Sequence, residues 1–156
     1  MSEAPEAERP SSASHYRALE GMYLGAPINA FYQPRIEVSH ETAVIEIDVG
    51  HHFFHPAGAV HGSVYFKMLD DAAFFAAASI VDDVFVLTTT FTTYLTRPLS
   101  EGVLRSEGRV VNQNRSQIIA EAVARDDQGR EVARGNGIFV RSRIVLDGVE
   151  GYDRAR

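Results

Sequence analysis

Eighteen residues, 63–80 (SVYFKMLDDAAFFAAASI), limit what this chain can become more than any other stretch. They hold neither Gly nor Pro and are rich in strong helix formers. Their apolar letters fall nearly all round a helical wheel, so the helix they predict must be covered on most of its faces. After Asp82–Asp83 the period changes to two, and 84–95, 103–111, 117–124 and 132–140 read as strands. Their links carry Pro98 and Gly102, then 112–114, then the hairpin signal DDQG at 126–129. Short links between consecutive strands favour an antiparallel meander. Upstream, 36–38 and 43–49 read as two further strands about the polar turn 39–41. Residues 15–24 form a short helix through Tyr16, Leu19, Tyr23 and Leu24, ended by Gly25 and Pro27. One apolar helix among six strands is best buried by a curved antiparallel sheet wrapped around it, an α+β fold. The expected division is a disordered tail at 1–13, one domain at 14–143 and a C-terminal tail at 144–156.

Composition narrows the function. The chain has 156 residues, suited to one domain, and no cysteine, which excludes disulfides, thiolate metal sites and a cysteine nucleophile. No apolar run approaches the roughly 18 residues needed to span a bilayer, so no membrane association is expected. The polar, acidic N-terminus lacks a secretory pattern and points to the cytoplasm. A net charge of −6 argues against a nucleic-acid partner. The charge is uneven: residues 1–84 carry 4 Lys+Arg against 12 Asp+Glu, whereas 85–143 carry 9 against 6, and all nine cations there are arginines. Arginine's planar fork suits phosphate groups. Lys67, the only lysine, is read as covering apolar surface with its stem while its ammonium reaches solvent.

The chemistry concentrates in 50–62 (GHHFFHPAGAVHG), which opens onto the long helix. A Gly-rich loop at a helix start leaves backbone N–H groups free where the helix dipole is positive, so the Gly62 amide can stabilise an oxyanion. Asp70 and Asp71 follow inside an apolar stretch, where a carboxylate is costly unless paired, solvated or used. Either is a candidate general base on physical grounds. His51, His52, His55 and His61 suggest a metal, but adjacent His51 and His52 diverge and no carboxylate sits at ligand spacing, so no metal is expected. His61 is read as tying the loop to the helix start.

The segment HPAGAVHGSVYFKMLDDAA resembles the N-x-x-G-x-x-H-G-G…D-x-A pattern of hotdog-fold acyl-CoA thioesterases of the phenylacetate-pathway (PaaI-like) type. Gly58, His61, Gly62, Asp70 and Ala72 fit it. Tyr94-Leu95-Thr96-Arg97-Pro98, Asn114-Arg115-Ser116 and Gly129…Val132-Ala133…Gly137 resemble three further motifs in order, so the likeness runs over roughly 32–141. It implies a hotdog fold and hydrolysis of acyl-CoA thioesters without metal or organic cofactor. Asp70 becomes the general base or nucleophile and Gly62 the oxyanion-hole amide. A strand hydroxyl assists water: Thr88, Thr89 or Thr90, with alternation favouring Thr89. His55 stands where the family has asparagine, as an orienting donor, and Ser63 replaces the second glycine. His61 and Ser63 then border the substrate, and Arg97 and Arg115 are candidates for the phosphates of CoA. The resemblance also implies a homodimer that assembles to a homotetramer, each site taking its loop from one subunit and its acid from the other. Other classes on this fold are an acyl-CoA hydratase or dehydratase and a non-catalytic acyl-CoA-binding protein.

Overall fold

The computed structural model describes residues 10–155. Helix α1 (Pro10–Gly25) stops at Gly25 as read. The short α2 (Asn29–Tyr32) leads into β1 (Arg35–Ser39) and β2 (Thr42–Asp48). A single 3₁₀ turn (His51–Phe53) and a loop precede α3 (Gly62–Ala78), followed by β3 (Val84–Leu95), β4 (Val103–Gln113), β5 (Ile118–Arg125) and β6 (Glu131–Val145). All the strand pairs are antiparallel, in one six-stranded sheet of order β1-β2-β4-β5-β6-β3.

Helix α3 lies in the hollow of this sheet. Val64, Tyr65, Met68, Leu69, Ala72, Ala73 and Phe75–Ala78 are buried, as an all-round apolar helix requires. The alternation of β5, with Ile118, Ala120, Ala122 and Ala124 inward, supplies the facing surface. The closest approach is set by small residues: a Cβ added at Gly108 of β4 would stand 2.1 Å from the carbonyl oxygen of Ala72. A glycine there lets the helix backbone rest almost on the strand. The cover has one gap. Phe66 is 41% exposed, and Asp70 and Phe74, each one turn further, are only half-buried. That stripe lies beside β3, an edge strand.

Three sequence expectations are corrected. First, β4-β5-β6 is a meander but β3 does not precede it in space; β2 occupies the free side of β4, and β3 pairs with β6 at the opposite edge. The link after β3 crosses back over the sheet end, with Thr96 and Arg97 amides bonded to the Val132 carbonyl and Leu99 buried. Second, β6 runs to Val145 instead of 140, and the segment expected as a tail from 144 is folded: Leu146 and Tyr152 are buried. Tyr152 meets His15 of α1 at 2.6 Å, and the other nitrogen of that buried ring lies 2.9 Å from the Ala78 carbonyl. Third, the tail expected over 1–13 lies outside the described residues up to residue 9, and from Pro10 the chain is helical.

Candidate active site

The loop before α3 is held by its own backbone. His55 donates its amide to Ala59, Gly58 to His55, Val60 to Leu99 and His61 to Phe53. His61 is extended and caps the helix: its Nδ1 accepts from the Ser63 amide at 3.0 Å and lies 2.8 Å from the Ser63 hydroxyl. That is the tie to the helix start read from sequence. His61 Nδ1 and the Ser63 hydroxyl thus engage each other. Gly62, the first helical residue, keeps its N–H without an acceptor among the described residues. It borders a cleft of about 350 Å³ shared with His55, Tyr65, Leu95 and Arg97. His55 Nδ1 accepts from the Ala57 amide at 3.1 Å. A neutral ring held this way carries its proton on Nε2, available as a donor.

Asp70 sits two turns further along α3, in a second cavity of about 310 Å³ with Thr88 and an apolar lining. Burial pushes its carboxyl up to about 6; the hydrogen bond donated by Thr88 opposes this, while Asp71 adds to it and Lys67 subtracts. Asp71 is committed elsewhere. It accepts from the Tyr23 hydroxyl at 2.7 Å and pairs with Lys67, whose ammonium lies 5.1 Å from the Tyr23 ring centre and 4.9 Å from that of Tyr32. The Lys67 side chain is only 12% exposed, so its head is buried in this cluster rather than in solvent. The i,i+4 spacing of Lys67 and Asp71 was legible in sequence. Tyr23, 48 residues away, carried no such signal.

The strand hydroxyl at Asp70 is Thr88, whose Oγ1 donates to Oδ1 at 3.0 Å; Thr89 instead donates to the Ile138 carbonyl on the exposed side. Strict alternation fails because the β3–β6 register shifts between Thr88 and Thr90. Such a bulge swaps the inward phase of the strand: Val86 and Thr88 face in before it, Phe91 and Thr93 after it. Of the nine arginines in 85–143, Arg105, Arg109, Arg130 and Arg134 form ion pairs and Arg125 bonds a carbonyl. Arg97 and Arg115 have no side-chain partner among the described residues. Arg97 borders the Gly62 cleft, whereas Arg115 tips the β4–β5 turn at the other end of the sheet, where Ile118 pairs with Phe139 and Phe139 with Thr88. No group of three His, Asp or Glu side chains among the described residues is placed to hold a metal ion.

One helix laid in a curved antiparallel sheet of this strand order is the hotdog architecture. Residues 57–133, the span from the loop through α3 to the start of β6, match the family model of the thioesterase superfamily. No curated protein sequence matches it. Among solved structures it is similar to the PaaI protein of the phenylacetic acid degradation operon of E. coli (18% identity, TM-score 0.78, 86% of this chain and 97% of that one). It is also similar to a phenylacetic acid degradation-related protein from Ralstonia eutropha (19%, 0.69, 80% and 98%) and to a mutant PaaI from Thermus thermophilus (18%, 0.68, 75% and 100%). At these identities the likeness establishes the fold. No helix is long and apolar enough to cross a membrane among the described residues.

Proposed function

We propose that the protein hydrolyses acyl-CoA thioesters at a site shared by two copies of the chain. The observation that carries this is the pairing, on one helix, of an unbonded N-terminal amide at Gly62 with a half-buried acid at Asp70. An oxyanion donor and a base poised near neutrality are the two groups that acyl transfer to water requires. Eight residues of helix hold them about 12 Å apart along the axis. One carbonyl cannot touch both within a chain. The uncovered stripe of α3 and the free edge of β3, with exposed Leu87, Tyr94 and Leu95, form the surface on which a second copy would sit. Antiparallel pairing of two β3 edges brings the Leu95–Gly62 end of one chain to the Asp70 end of the other.

In that site the Asp70 carboxylate takes a proton from water as the water oxygen bonds to the thioester carbon. The carbonyl oxygen becomes an oxyanion and is held by the partner copy's Gly62 amide. Collapse breaks the carbon–sulfur bond, and the proton on Asp70 passes to the departing CoA sulfur. Free acid and CoA thiol result. Thr88 orients the carboxylate, and His55 Nε2 supplies a second donor beside Gly62, the role the family asparagine would have. The His61–Ser63 cap borders the substrate by presenting the amide. Arg97 of the amide-giving chain and Arg115 of the acid-giving chain approach the same site from two sides and suit the CoA phosphates. The test is a panel of acyl-CoA thioesters assayed by thiol release. Asp70→Asn is expected to lower turnover by a factor on the order of 100. Binding of acyl-CoA with no thiol release from any member of the panel, by a protein that otherwise folds normally, would replace hydrolysis with a binding role.

A further inference from the structure

The Asp70 cavity is closed on one side by residues from outside the segment that the family model matches. Met22, Tyr23 and Ala26, from the end of α1 and just past it, line it together with Phe74, Phe85 and Leu87. Apart from the two carboxylates and the Thr88 hydroxyl, the lining named here is apolar or aromatic. At about 310 Å³ the cavity is near the lower end of small-molecule sites, roughly 300–1,000 Å³. A helix laid loosely there would not limit anything. This one is fastened at several points. The Tyr23 hydroxyl bonds Asp71 on α3, and the Tyr23 ring meets Phe75 edge-on at 4.9 Å. His15 bonds the Ala78 carbonyl and Tyr152. Arg17 donates to the Val38 carbonyl, and Glu20 accepts from the Val38 amide. At Gly21 and Gly151 the helix and the C-terminal segment touch backbone to backbone, an added Cβ on Gly21 standing 3.2 Å from the Gly151 oxygen.

We infer that the end of α1 is a fixed wall that sets the length of the acyl group, with Met22 and Ala26 as its specificity-determining residues. This rests on the reading of Asp70 as the catalytic acid, because a carbonyl held there directs its acyl chain into the apolar part of the same cavity. Phe74, one turn beyond Asp70, continues the path, and Met22 and Ala26 end it. The buried clasp at His15 and Tyr152, together with the Tyr23–Asp71 bond, keeps the wall from yielding to a longer chain.

The experiment uses the full-length protein and a series of oxoalkyl-CoA thioethers of increasing chain length, which resemble the substrate but cannot be hydrolysed. Affinity is measured by calorimetry for wild type, Ala26→Phe and Met22→Ala, after thermal melts establish that each variant is folded. Wild-type affinity should peak at one chain length. Ala26→Phe should move the peak to shorter chains and weaken the former optimum about tenfold or more, while Met22→Ala moves it to longer chains. Met22→Leu, which keeps the volume, checks that space and not destabilisation is responsible, and should leave the peak in place. An unchanged peak in both folded size variants, or no dependence on chain length in the wild type, overturns the wall. Thiol release from the matching thioesters is followed in parallel. Its absence, with the affinity shifts present, defeats hydrolysis and leaves the wall standing.

Discussion

At Asp70, burial and chemistry pull against each other. An unfolded aspartate loses its proton near 3.8, while the native pocket holds it to about 6. Below 3.8 both states are protonated and the pocket costs nothing. Between the two values the native state binds the proton more tightly, so stability falls as pH rises; above 6 the penalty is complete. Asp70→Asn should therefore be more stable than wild type by about 1–2 kcal/mol at pH 7.5, a figure reduced for partial solvent exposure. Urea titrations should show this gain shrinking as pH falls from 6 to 4. The same proton governs the proposed reaction, which needs the carboxylate and should lose rate below pH 6. Thr88→Val removes the hydrogen bond that favours the ionised form and should move that limb upward in the pH–rate profile. Thr89→Val should leave it in place, because that hydroxyl serves the Ile138 carbonyl. At this scale the sequence was informative wherever the needed contact was local. The His61 cap and the separation of Gly62 from Asp70 are spacings within one helix turn or a few. Thr88 was misread because its orientation depends on a bulge, and a bulge is a property of the pairing between two strands.

Among the elements, α3 crosses β4 so closely that Gly108 has no room for a side chain. The carbonyl of Ala72 belongs to a helix that is buried by strands on several sides and cannot retreat. Gly108→Ala places a methyl group against that backbone, not against a flexible side chain. The variant should lose about 1–3 kcal/mol or more in urea unfolding, the usual scale of overpacking. A value near zero would mean that the helix can shift on the sheet. Much of this level could be read directly: an apolar helix without breakers, four period-two strands after it and the DDQG turn are all present, with Gly129 at φ +78° and Asp126 accepting the turn amides. Strand order was less accessible. Nothing in β3 says that β6 will be its neighbour, since β2 wins the side of β4 by contacts far apart in the chain, Ile45 against Ser106 being 61 residues apart. The length of β6 was missed because 141–143 (Arg-Ser-Arg) carries no apolar alternation; it is held as strand by pairing with β3 alone.

For the whole molecule, the decisive question is whether one chain contains a complete site. The helix keeps the Gly62 amide and the Asp70 carboxylate about 12 Å apart along its axis, and their cavities have different linings. Edge strand β3 and the uncovered stripe of α3 leave the acid end open on the side where a second copy would complete it. Two inactive variants separate the possibilities. Asp70→Asn removes the base. Gly62→Pro removes the amide, at a first helical position where proline is tolerated, and the preceding His61 already has the extended backbone that a following proline favours. The nearest obstacle is the tip of the Leu95 side chain, which can move. Mixed by refolding, the two chains form heterodimers in half of the random pairings. If each site joins one chain's loop to the other's acid, one site of the heterodimer carries both lesions and the other neither. The mixture should then recover roughly a quarter of wild-type thiol release. If each site lies within one chain, every site carries one lesion and no activity returns. Native mass spectrometry of the mixture establishes that heterodimers are present, so that a silent mixture counts as evidence for a site built from a single chain.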